Sequence, residues 1–173
     1  AARRSAAGDA ALPPGGAGEG AALDAVARRL TARSGESMVS DRLQRHILTR
    51  LTDEGLIVEL FALPGAPLFE GPDEAPTDLM RDLVAVVAEV FGLVPNRIAL
   101  KGFVRSAPVV LRDNPIWDRS AARAQATRRL LPSGLARGRL DRVSGLGDRT
   151  PSDADPMAVR NDRVELILLR SDR

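Results

Sequence analysis

Apolar residues along the chain follow two rhythms, and the switches between them mark out its elements. Leu23, Val26, Ala27 and Leu30 recur at helical spacing, with Arg28, Arg29 and Arg33 near the end where cations suit the helix dipole. Ser34-Gly35 stops that segment. A second amphipathic run places Met38, Val39, Leu43, Ile47, Leu48 and Leu51 on one side, and the spacing predicts another helix. The rhythm then changes. Residues 55–61 (GLIVELF) read as a strand, bounded by Gly55 and by Pro64-Gly65. Four prolines make 64–76 a loop. Thr77 can cap a helix whose stripe is Leu79, Leu83, Val86, Val87 and Val90, with Gly92 as its stop. Ile98 and Leu100 begin a second strand, which Gly102 ends. A helix follows, capped by Asp118 or Ser120, with Ala121, Ala124, Leu130 and Leu131 on its apolar face and Pro132-Ser133-Gly134 at its end. Residues 140–146 and 163–169 are two further strands.

That order predicts an α/β chain: a mixed four-stranded sheet with two crossover helices on one face, preceded by one or two linker helices. The expected divisions are a disordered linker or chain end at 1–20, where Pro13-Pro14-Gly15-Gly16 opposes regular structure, a linker helix at 21–36, and the α/β domain at 37–173.

Composition narrows the chemistry. The net charge is only +2, and Lys101 is the sole lysine, so nucleic acid is not an expected partner. There is no cysteine, which excludes disulfides, thiolate metal sites and Cys nucleophiles. His46 is the only histidine and reads as a partly buried or surface side chain rather than a metal ligand. Gly145-Leu146-Gly147 is too short for a phosphate loop. No enzyme activity, metal or cofactor is expected. No run approaches the ~20 apolar residues that span a bilayer.

The stretch 117–124 (WDRSAARA), followed by Arg128-Arg129-Leu130, resembles the pattern W-E-L-S-x-x-R-A…R-R-x-L. That is the pattern of OmpA-like peptidoglycan-binding domains as they occur in flagellar stator proteins of the MotB family. Residues 96–102 (NRIALKG) fit the strand before the family's G-H-T-D box. Residues 140–146 resemble its R-V-x-x-x-G-x-G segment, and 160–165 (RNDRVE) its N-R-R-V-E box with Asp162 in place of the first Arg. The resemblance covers roughly Met38 to Leu169. It implies a non-enzymatic periplasmic domain that anchors a proton channel to peptidoglycan. It also implies a homodimer, and a stator partner subunit reached through a membrane helix ahead of residue 1.

In that family the ligand is the zwitterionic diaminopimelate of the stem peptide. An Asp in the G-H-T-D box faces its ammonium, and an Arg in the L-S-x-x-R-A box faces its carboxylate. The matching Arg is Arg123, but the Asp position holds Arg105, preceded by Phe103 and Val104. The ligand-binding residues implied are Arg123 and Arg105, with Asp118, Asn161 and Arg163. Two guanidiniums facing an ammonium at ~4 Å would cost roughly 4 kcal/mol at an effective dielectric near 20. Weak or absent wall binding is therefore expected unless Asp113, Asp118 or Asp148 supplies a displaced carboxylate. The alternative is an OmpA-like dimerisation or protein-docking module that has lost peptidoglycan binding. Without a ligand, Arg123 would form a surface ion pair with Asp118 or Asp113, and Trp117 would anchor the core or loop.

Overall fold

The structure, a computed structural model, describes residues 17–32, 38–108 and 115–171. Its chain order is α1 (Ala17–Ala32), α2 (Met38–Gln44), β1 (Ile47–Leu51), β2 (Gly55–Phe61), β3 (Phe69–Glu70), β4 (Ala75–Pro76), α3 (Asp78–Phe91), β5 (Ile98–Phe103), α4 (Ile116–Leu130), α5 (Ser133–Gly138), β6 (Leu140–Gly145) and β7 (Arg163–Leu169). Among the described residues the main sheet has five strands in the order β1-β2-β7-β5-β6, and β3 pairs with β4 in a separate hairpin. Only β5 and β6 run parallel, so the sheet is mixed as expected.

The fifth strand corrects the sequence reading. The helix expected across Met38 to Leu51 ends at Gln44, and Ile47–Leu51 forms an edge strand on β2. The spacing of Leu43, Ile47, Leu48 and Leu51 satisfies a helical stripe. The tight return at residues 52–55 wins instead: the Thr52 amide donates to the Gly55 carbonyl at 2.9 Å. Gly55 has φ 146°, and a Cβ there would lie 1.9 Å from the Leu168 carbonyl oxygen, so only glycine fits beside β7.

Alternation along the strands separates two faces. Leu56, Val58 and Leu60 of β2, Ile98 and Leu100 of β5, and Val164, Leu166 and Leu168 of β7 join the main core under the helices. α3 contributes Leu79, Met80, Leu83, Val84, Val87 and Phe91 to that core. Thr77 caps it, its hydroxyl accepting from the Met80 amide at 3.3 Å, and Gly92 follows its last turn. Leu23, Val26 and Leu30 of α1 are buried in the same core, so this helix is packed rather than held apart. The outer face carries a smaller apolar patch of Ile57, Ala99, Ile167 and Leu169, surrounded by charge.

α4 begins at Ile116, two residues before Asp118 and four before Ser120, the expected caps, and no side chain caps it. Its first turn exposes Trp117, so the expectation of a core or loop anchor fails. The Arg149 guanidinium stacks on the indole 4.9 Å from its centroid. What places α4 is glycine. A Cβ on Gly102 would sit 2.2 Å from the Ser120 carbonyl oxygen, and one on Gly145 2.3 Å from the Ala121 nitrogen. The helix therefore lies directly on the backbones of β5 and β6. The Ser120 hydroxyl locks it there, donating to the Trp117 carbonyl and accepting from the Gly147 amide, both at 2.9 Å.

Candidate functional site

The close seat of α4 brings Arg123 over the end of β5. Only 5% exposed, Arg123 makes no surface ion pair of the kind expected. Its Nε donates to Glu74 at 2.8 Å, and one terminal nitrogen donates to Asp162 at 2.8 Å and to the Phe103 carbonyl at 3.1 Å. Its guanidinium also lies 5.5 Å from the centroid of the Phe69 ring. A buried guanidinium needs compensation of this kind, because a charge removed from water is costly unless paired and hydrogen-bonded.

Glu74 comes from the β3–β4 hairpin. The turn bends through Gly71 at φ 74° and Glu74 itself at φ 50°, which points the carboxylate back at α4. There it also takes the Arg119 Nε at 2.6 Å. Asp162 comes from the other side, just ahead of β7. Its Oδ1 accepts from the Arg105 amide at 3.0 Å, and its Oδ2 lies 3.5 Å from the Arg105 Nε. The cluster thus holds three guanidiniums, Arg105, Arg119 and Arg123, against two carboxylates, Glu74 and Asp162. Arg105 and Arg119 reach solvent and Arg123 does not.

The sequence-predicted residues separate here. Arg123 and Arg105 are brought together through Asp162. Asp118 is exposed on the first turn of α4 and enters none of the hydrogen bonds or ion pairs among the described residues. Asp148 is engaged elsewhere, accepting from the Ser106 hydroxyl at 2.8 Å, and Asp113 lies outside the described residues. Asn161 is buried and braces its own loop. It accepts from the Ser152 and Asp153 amides at 2.8 and 3.0 Å and donates to the Asp155 carbonyl at 2.8 Å. Arg163 sits on the outer face, 3.8 Å from the centroid of the Phe103 ring, and donates to the Thr150 carbonyl at 2.6 Å. Burial lowers its pKa, opposed by the charges of Glu59 and Glu165. His46 is buried too, its Nδ1–H donating to the Phe61 carbonyl at 2.7 Å.

Sequence reasoning missed Glu74 and Asp162, and the second has a readable signal. Arg105 stands where the resembled pattern has Asp, and Asp162 stands where it has Arg. The two departures are reciprocal, and the structure puts them in contact. The expected rejection of an ammonium rested on two guanidiniums with no carboxylate between them. Asp162 lies between them, so that ground is removed.

Comparison with known proteins agrees with this fold. No protein-family model matches the chain. It is 33% identical over 136 residues to motility protein B of Escherichia coli K12, covering 73% of this chain and 42% of the relative. The chain therefore spans less than half the length of that curated protein. The periplasmic domain of Helicobacter pylori MotB superposes with a TM-score of 0.57 at 24% identity, over 72% of this chain and 80% of that one. The cell wall anchor of the T6SS from Pseudomonas aeruginosa superposes with a TM-score of 0.60 at 21% identity, over 84% and 97%.

Proposed function

We propose that this chain, a homologue of motility protein B with the fold of a MotB periplasmic domain, is the wall-side domain of a flagellar-type stator subunit. In this reading it is a non-enzymatic periplasmic anchor that holds an ion channel against peptidoglycan. The full-length protein is fixed in the inner membrane, where it meets its partner subunit, and it works as a homodimer.

The observation that carries the wall-binding part is the reciprocal exchange of Arg105 and Asp162 beside Arg123. A zwitterion needs one partner of each sign, and the cluster retains both with their positions exchanged. Asp162 Oδ2 is the loosely held oxygen, 3.5 Å from a half-exposed Arg105 side chain. When Arg105 swings outward, its guanidinium takes the ligand carboxylate and Asp162 takes the ammonium. Arg123 is too buried to be the first contact and holds Asp162 in place.

Co-sedimentation with purified sacculi tests this. The native chain is expected to pellet. Arg105→Asp and Asp162→Arg should each lose about tenfold in affinity, as expected for a charged hydrogen bond. The double exchange should recover it. A native chain that stays in solution while the double exchange pellets would mean that the swap abolished binding. If neither pellets, the dimerisation or docking module is the better reading, favoured by the fact that each carboxylate of the cluster already has a guanidinium.

A further inference from the structure

A second arginine-rich cluster lies on the opposite face of the sheet. There a cleft of about 530 Å³ opens between β1, β2 and β7 on one side and residues 150–152 on the other. Its floor holds Glu59 and Glu165, cross-strand partners in the β2–β7 register and both buried. Like charges placed opposite one another destabilise a sheet, so this pair requires cations. Arg50, Arg160 and Arg163 supply them.

Arg163 is anchored by the Thr150 carbonyl at 2.6 Å, but the contacts of all three cations with the two carboxylates are long. Arg50 lies 3.4 Å from Glu165 and 3.6 Å from Glu59, Arg160 lies 3.7 Å from Glu59, and Arg163 Nε lies 3.9 Å from Glu165. Charge-assisted N–H···O bonds normally close to about 2.7–2.9 Å. The shorter contact on Glu59 comes from the Ser152 hydroxyl at 3.1 Å. Arg163 Nε is buried and makes no hydrogen bond. Arg160 engages through its 3.7 Å ion pair and by stacking 3.8 Å from the Phe61 centroid, leaving its donors unspent. Three guanidiniums against two carboxylates leave one positive charge unmatched in a concave site.

We propose that this cleft binds a small ligand bearing a single oxyanion group, a carboxylate or a phosphate, clamped between Arg50 and Arg160 with Arg163 beneath. The guanidinium fork matches such groups in geometry as well as charge. Glu59 and Glu165 space the three cations and limit the site to one net negative charge. Leu48 and Ile57 border it, so the portion of the ligand next to the oxyanion is small and apolar. The site is separate from the Arg123 cluster: Phe103 turns its ring to Arg163 and its carbonyl to Arg123. It does not depend on the wall-binding reading.

The test is a titration of the whole chain with inorganic phosphate and, separately, with N-acetylalanine. Ionic strength is held constant with chloride, and the arginine Nε–Hε resonances are followed by NMR. Saturable shifts of the Arg50, Arg160 and Arg163 signals are expected with at least one probe, and the tighter probe identifies the ligand class. Arg50→Gln and Arg160→Gln, both at partly exposed positions, should each weaken binding about tenfold, the loss of a charged hydrogen bond. Arg128→Gln, on the exposed side of α4, should leave it unchanged. Shifts that never saturate, or a saturable response that survives both cleft variants, would overturn the proposal.

Discussion

At the scale of single residues, the candidate site depends on carboxylates that the sequence conceals. Arg123 is legible because a motif surrounds it. Glu74 is not, since it lies 49 residues away in a proline-rich loop and reaches α4 from a turn in which its own φ is positive. Removing it leaves Arg123 buried with less than its full compensation. Glu74→Ala should therefore cost about 3 kcal/mol of stability, read from urea unfolding midpoints, whereas Asp118→Ala should stay within about 0.5 kcal/mol. Titration gives a second check. Burial raises the Glu165 pKa above the usual carboxylate range, and Glu59 adds to the rise while Arg163 opposes it. The folded state then holds this proton more tightly than the unfolded chain. Its stabilising contribution is complete below the unfolded value, about 4.3, and is lost as pH rises through the folded value. Glu54 runs the other way. Burial pushes it up, but the hydrogen bonds and charges of Lys101 and Arg142 outweigh this, so its net shift is down. Its contribution is present above the unfolded value and disappears as pH falls through the folded one. Unfolding midpoints between about pH 4 and 8 should show less decline with rising pH in Glu165→Gln than in the native chain. Matching slopes would remove Glu165 from the account.

At the scale of elements, strands whose period left no choice were readable and the edge was not. Residues 55–61 and 163–169 coincide with β2 and β7, because apolar runs bounded by turn residues or by the preceding loop have few other readings. Ile47–Leu51 did not, because its apolar positions fit either period and only pairing with β2 decides between them. The start of α4 was misplaced for a related reason. Pro115 opens it without a side-chain cap, and its position comes from the glycines beneath. Gly102→Ala should accordingly destabilise by about 2 kcal/mol or more, since a Cβ would meet backbone rather than a movable side chain. Gly134→Ala, with open space around it, should stay within about 0.5 kcal/mol. If both changes prove equally mild, α4 is not seated as described.

At the scale of the molecule, α1 belongs to the core it was expected to precede. Leu23, Val26 and Leu30 are buried against it, and Glu19 ties the helix to the far end of the chain through the Ser171 amide at 2.7 Å. Periodicity identified α1 but could not say what its apolar stripe meets. Leu23→Ala should therefore cost about 3 kcal/mol in one cooperative unfolding transition. An unchanged main transition with a separate early one would show instead that α1 melts independently.

The position of β7 has a further consequence, for the order in which the molecule is built. Among the described residues it comes after the other strands in sequence and is the middle strand of the sheet, flanked by β2 and β5. Until it arrives, β1 with β2 and β5 with β6 are two separate ribbons whose inner edges have no partner. The pairing of Gly55 with Leu169 closes a loop of more than a hundred residues, and closures of that kind make folding slow. A nascent chain therefore carries two open edges until β7 has been made, and those edges are templates for pairing with other chains.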